Sequence, residues 1–181
     1  IMMSYLINNH LKDGYSDYNL LFLKKYHKEL NLTNKILDVG CGHFRNLFLF
    51  YQIGFKNLYG IDRLLPLPNK KHRGFKVQYI NADIIHGLPY EDKEFDIVLC
   101  NFVLMFIPPE RLLFVLGELL RVTNKFCVIE TQKQFYKAQN SFRVPYNFKK
   151  ILKYIENNDD FEIVDKKIYK EKLTARRKNN G

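Results

Sequence analysis

The chain has 181 residues, 46% of them apolar, which suits one domain with a single packed core and excludes global disorder. No apolar run reaches the ~18 residues of a membrane span, and Cys41, Cys100 and Cys127 show no metal-type pairing, as expected of buried reduced thiols in a cytoplasmic protein without a metal. The formal charge of +10 admits an anionic macromolecular partner or merely a solvated basic surface, because lysines are scattered over nearly every polar face.

Residues 1–15 read as a flexible N-terminal segment without the basic start and long apolar stretch of a signal peptide. From Ser16 as cap, residues 16–30 place Leu20, Leu23, Tyr26 and Leu30 at a helical period. "KILDV" (35–39) is a buried strand, and "FRNLFLFYQI" (44–53) a helix that Gly54 can end in the left-handed conformation. "NLYGID" (57–62) and "KVQYIN" (76–81) are the next strands; "FDIVLC" (95–100) is the fourth, apolar enough for burial on both faces. Residues 108–123 follow as a helix, with Pro109 in its first turn and Leu112, Leu116, Leu119 and Leu120 along one face. "KFCVIET" (125–131) is the fifth strand and "NFKKILKYIENN" (147–158) an amphipathic helix. "FEIVDKKIY" (161–169) and "LTARRK" (173–178) close the chain as an antiparallel pair. The order predicts a doubly wound α/β fold over residues 1–181, a mostly parallel seven-stranded sheet with an antiparallel C-terminal strand.

In such a sheet, ligands bind beyond the carboxyl ends of the strands, where connections diverge. Asp38, Asp62 and Asp83 fall at three consecutive strand ends, and Asn101 at the fourth. Asp is a common turn residue, so one such acid would mean little. Three in register, with Gly40 and Gly42 beside the first in "ILDVGCGHFRN", point to a ligand.

A nicotinamide dinucleotide wants G-x-G-x-x-G and an acid about 20 residues on. Gly40, Gly42 and Asp62 fit, but the third glycine position holds Arg45, and Asp38 would stand near an anionic pyrophosphate. S-adenosylmethionine carries an ammonium and a sulfonium and no phosphate. One carboxylate favours its amino acid end, a second its ribose hydroxyls and a third its adenine amine. The acids therefore fit a cationic nucleoside better than an anionic one.

The chain also resembles the class I S-adenosylmethionine-dependent methyltransferases, in particular the small type 11 members, over about residues 16 to 131. "ILDVGCG", "LYGID", "VQYINADI" and "LPYEDKEFDIVLCNFVLMFI" are similar to their successive motifs, and "ELLRVTNKFCVIET" to the helix and strand that follow. The resemblance implies that Gly40 and Gly42 approach the methionine end with Asp38 nearby, that Asp62 holds the ribose and Asp83 the adenine, and that Cys41, Arg63 and Ile84 also bind the cofactor. Asn101 and Phe102 would border the transferring methyl. Phe44 stands where the family usually has glycine, so its side chain must point away from the ligand or reshape that wall. Met105 and Phe106 stand where many type 11 members carry histidines, which removes one familiar candidate base and leaves the catalytic group open.

Methyl transfer is an in-line displacement that the protein mainly aligns and shields from water. "NFVL" replaces the D/N-P-P-Y/F of amino-methylating nucleic-acid enzymes, and Cys100 lies inside a strand without the Pro-Cys of cytosine carbon-5 enzymes. Substrate contacts are expected outside the cofactor motifs, at Tyr15 and Tyr18 and in a loop over 132–147 carrying Tyr136, Arg143 and Tyr146. A small-molecule acceptor leads. RNA held by Lys70, Lys71, Arg73, Arg176, Arg177 and Lys178 is an alternative, and a non-catalytic binding module with a degenerate site is another.

Overall fold

A computed structural model describes residues 14–64, 74–132 and 147–179. Among these residues, seven strands form one sheet in the order β3-β2-β1-β4-β5-β7-β6. They are β1 (Lys35–Val39), β2 (Asn57–Asp62), β3 (Gln78–Asn81), β4 (Phe95–Asn101), β5 (Thr123–Glu130), β6 (Phe161–Lys167) and β7 (Lys172–Arg177). The first five pair in parallel, and β7 runs antiparallel to both β5 and β6. The expected doubly wound fold is therefore the observed one.

The long apolar runs make sense once both faces are seen. Along β4, Ile97 and Leu99 face one core and Val98 and Cys100 the other, the period of two expected of a strand. Helices α1 (Asp17–Tyr26) and α2 (Arg45–Ile53) cover the first face with Phe22, Leu23, Leu47 and Phe50. Helices α3 (Leu112–Val122) and α4 (Phe148–Glu156) cover the second with Leu116, Leu119, Ile151 and Ile155. Cys41, Cys100 and Cys127 are buried free thiols. Burial pushes the Cys127 thiol up to about 12 and Cys100 well above its ordinary value, so neither is a ready thiolate.

Several boundaries differ from the sequence reading, each for a local reason. α1 stops at Tyr26 and tightens into a 3-10 turn over His27–Glu29, closed by the Leu30 N–H on the His27 carbonyl. β3 starts at Gln78, where pairing with Tyr59 of β2 begins. α3 starts at Leu112, so Pro109 precedes it: residues 108–111 form their own turn, with the Arg111 N–H on the Pro108 carbonyl. The fifth strand begins at Thr123, directly after α3, and the closing pair is joined by a 3-10 turn over Ile168–Lys170 with Glu171 left-handed. Gly54 ends α2 at φ 118, as expected, and its N–H reaches the Phe50 and Tyr51 carbonyls. Among the described residues, no helix is long and apolar enough to cross a membrane.

Candidate functional site

β1 has β2 on one side and β4 on the other, so the connections leaving these strands diverge above β1. A cavity of about 630 Å³ opens there. Its walls are the segments after β1 (Gly40–Gly42), β2 (Asp62–Leu64), β3 (Asp83–Ile85) and β4 (Asn101–Val103), closed on the other side by Gly14, Tyr15 and Ser16.

The glycine turn is built by tight backbone packing. The N–H groups of Gly40 and Cys41 both reach the Ile61 carbonyl, at 2.8 and 3.2 Å. Gly40 has φ +75, and a Cβ there would stand 2.2 Å from Val103 Cγ2. Gly40→Ala is therefore expected to lose about 2–4 kcal/mol of stability through left-handed strain and overpacking, read by urea denaturation. Gly42 also has φ +48, with no atom within 4 Å of where a Cβ would be.

Phe44 answers the question its position raises. It takes up φ 63 and ψ 22 as the residue before α2, and its ring packs edge-on against Tyr79 at 5.6 Å and Phe75 at 6.3 Å. The side chain joins an aromatic cluster and leaves the cavity wall to its neighbours.

Asp62 clamps the rim. Its Oδ2 accepts the Gly42 N–H at 2.8 Å and its Oδ1 the Leu64 N–H at 2.9 Å. Each carboxylate oxygen keeps a further lone pair for a ligand. Asp83 Oδ1 accepts the Ile85 N–H at 3.1 Å, which fixes the turn after β3. Asn101 is less available, because its amide is engaged with Asn19 and Glu130. Phe102 is left-handed (φ 61) yet 41% exposed, a strained conformation of the kind found at functional sites.

Nine of the ten residues expected around the cofactor line this cavity: Gly40, Cys41, Gly42, Asp62, Arg63, Asp83, Ile84, Asn101 and Phe102. Asp38 does not. It is buried beneath the turn, and neither carboxylate oxygen makes a well-formed hydrogen bond, although Asn46 lies close enough to ease its ionisation. Burial above all, with the charge of Asp62 after it, pushes its carboxyl up to about 7.

Tyr15, expected to contact substrate, lines this first cavity, whereas the expectation for Tyr18 must be corrected. Tyr18 is 1% exposed, with its hydroxyl 3.0 Å from Thr174 Oγ1, so it packs α1 onto the sheet. Tyr136, Arg143 and Tyr146 lie outside the described residues.

The family described as "Methyltransferase domain" matches residues 37–127, which include the glycine turn and the first four strand ends. The chain belongs to this methyltransferase family. It is 30% identical over 156 residues to a demethylmenaquinone methyltransferase of Lactobacillus johnsonii, an alignment covering 77% of this chain and 63% of that relative. Two solved structures share the fold of this methyltransferase domain. The magnesium protoporphyrin IX methyltransferase of Synechocystis PCC 6803 with bound SAH has a TM-score of 0.65 at 17% identity, over 90% of this chain and 83% of that one. The 1,6-didemethyltoxoflavin-N1-methyltransferase of Burkholderia thailandensis, with bound 1,6-didemethyltoxoflavin and S-adenosylhomocysteine, has a TM-score of 0.65 at 16% identity, over 97% and 89%.

Sequence reasoning missed part of the candidate site. Arg45 and Asn46, at the start of α2, both face the cavity, and Ser16 does more than cap a helix. A second cavity of about 420 Å³ lies across Phe102, lined also by Glu130, Thr131, Gln132, Tyr169, Lys170 and Lys172. The available signal was Glu130 itself, an acid directly after the apolar run 126–129.

Proposed function

We propose that the chain binds S-adenosylmethionine in the first cavity and transfers its methyl group to a small-molecule acceptor. The observation that carries this reading is the placing of Asp62 and Asp83 on one cavity wall, at the ends of adjacent strands, with the glycine turn beside them. The residues fit the group. Asp62 would accept from the ribose hydroxyls and Asp83 from the adenine amine. Arg45 suits the amino acid carboxylate, and Gly42 leaves room for close backbone approach.

The cofactor supplies an electrophilic methyl on a sulfonium that departs as a thioether. The protein's part is alignment and the exclusion of water. Phe102 lines both cavities, so an acceptor in the second would meet the donor along this ring. Phe106 and Ile107 keep the adjoining wall apolar. The relative and the two structural neighbours are named for small-molecule acceptors, which supports the same class here. The tail arginines are occupied within the fold: Arg176 pairs with Glu162 at 3.0 Å, and Arg177 with Asp160 at 3.2 Å and with the carbonyls of Thr123 and Leu120. That engagement weighs against their serving as RNA phosphate contacts. The buried free thiols suit a cytoplasmic setting.

A thermal-shift comparison tests the cofactor reading. S-adenosylhomocysteine at a hundred times its dissociation constant is expected to add about 2.7 kcal/mol, or roughly 5–10 °C, while NAD and NADP leave the midpoint unchanged. Stabilisation by a dinucleotide alone would overturn it.

A further inference from the structure

Glu130 ends β5, is 2% exposed and lines the second cavity, while its partners Ser16 and Asn101 line the first. Its carboxylate gathers three elements. It accepts from the Ser16 hydroxyl ahead of α1, from the Asn101 amide at 3.1 Å at the end of β4, and from the Lys172 ammonium at the start of β7. Its backbone carbonyl accepts the Phe102 N–H at 2.7 Å, which helps hold that residue in its left-handed conformation.

Each partner shapes a wall. Ser16 lines the first cavity beside Gly14 and Tyr15, and its N–H donates to Asn46 Oδ1 at 3.0 Å, tying the N-terminal segment to the start of α2. Asn101 is braced from the other side by Asn19 of α1. Lys172 lines the second cavity, and its ammonium also sits 5.5 Å from the Tyr18 ring centroid.

A buried carboxylate is costly unless its lone pairs are filled, and here they are filled by groups that face ligand space on both sides of Phe102. Hydrophobic residues could join α1 to the sheet without that cost. We propose that Glu130 is a positioning residue for methyl transfer: through Ser16, Asn101 and Phe102 it holds the cofactor cavity's closing wall in register with the second cavity. The inference rests on the reading of the first cavity as the cofactor site.

The test is titration calorimetry of the full chain with S-adenosylhomocysteine, well below the unfolding midpoint. Glu130→Gln and Ser16→Ala are each expected to weaken binding about tenfold, the size of one lost charge-assisted bond. The double variant should bind no more weakly than the worse single one, because both remove the same link. Ser16→Thr keeps the hydroxyl and should restore wild-type affinity. If Glu130→Gln fails to fold, the two Ser16 variants decide alone. A merely structural role lowers the unfolding midpoint and leaves the dissociation constant of the folded protein unchanged; that result overturns the proposal. Absence of binding by the wild type overturns the cofactor reading and this inference together.

Discussion

Asp62→Ala is expected to weaken S-adenosylhomocysteine binding by about a hundredfold while the protein stays folded. The carboxylate holds the Gly42 and Leu64 N–H groups at 2.8 and 2.9 Å and offers its remaining lone pairs to the cavity. Charge-assisted hydrogen bonds contribute about 1.5–3 kcal/mol each, so losing two to a ribose removes at least ~3 kcal/mol, or two decades of affinity. Freeing the turn after β1 adds to the loss. Asp62→Asn separates shape from charge. It keeps the volume, yet sets an amide N–H against one of the two backbone N–H donors, so it should lose nearly as much. Circular dichroism would check the fold, which β1, β2 and β4 support from both faces. An affinity equal to the wild type's in both variants would remove Asp62 from the ligand's contacts.

What the sequence made legible follows from how local the signal is. The apolar runs of β1 and β4 announce burial, and the acids at the ends of β1, β2 and β3 mark the edge where a ligand can sit. Asp62 and Asp83 were therefore readable from strand ends alone. Phe44 was not, because its ring packs against Phe75 and Tyr79, remote in sequence. The same holds for Glu130, whose partners come from α1, β4 and β7 and meet only when the sheet closes with β7 between β5 and β6. Tyr18 was misassigned for a related reason. An aromatic ring with a polar tip suits a ligand or a core equally, and the distant Thr174 decides for the core.

Asp38→Asn is expected to stabilise the protein at pH 8 and to do nothing at pH 4. An unfolded aspartate releases its proton near pH ~4, whereas burial under the glycine turn holds the folded carboxyl to about 7. Between those values the folded state keeps a proton that the unfolded chain has lost, so stability falls as pH rises through the window and stays low above it. The neutral, nearly isosteric amide escapes that loss, by an amount on the order of a few kcal/mol at pH 8. Unfolding midpoints of both proteins at pH 4, 6 and 8 read the effect, and a difference that does not change with pH would show that Asp38 titrates normally. A carboxylate kept at such a cost implies a gain elsewhere. The cofactor's ammonium would favour the ionised form, through the turn that separates Asp38 from the cavity. The same substitution should then weaken S-adenosylhomocysteine binding at pH 8, roughly several-fold for a charge acting across a protein wall, and by less at pH 5, where wild-type Asp38 is already mostly protonated. A variant that is more stable yet binds less tightly, with both differences fading at low pH, would assign the buried charge to binding and not to the fold.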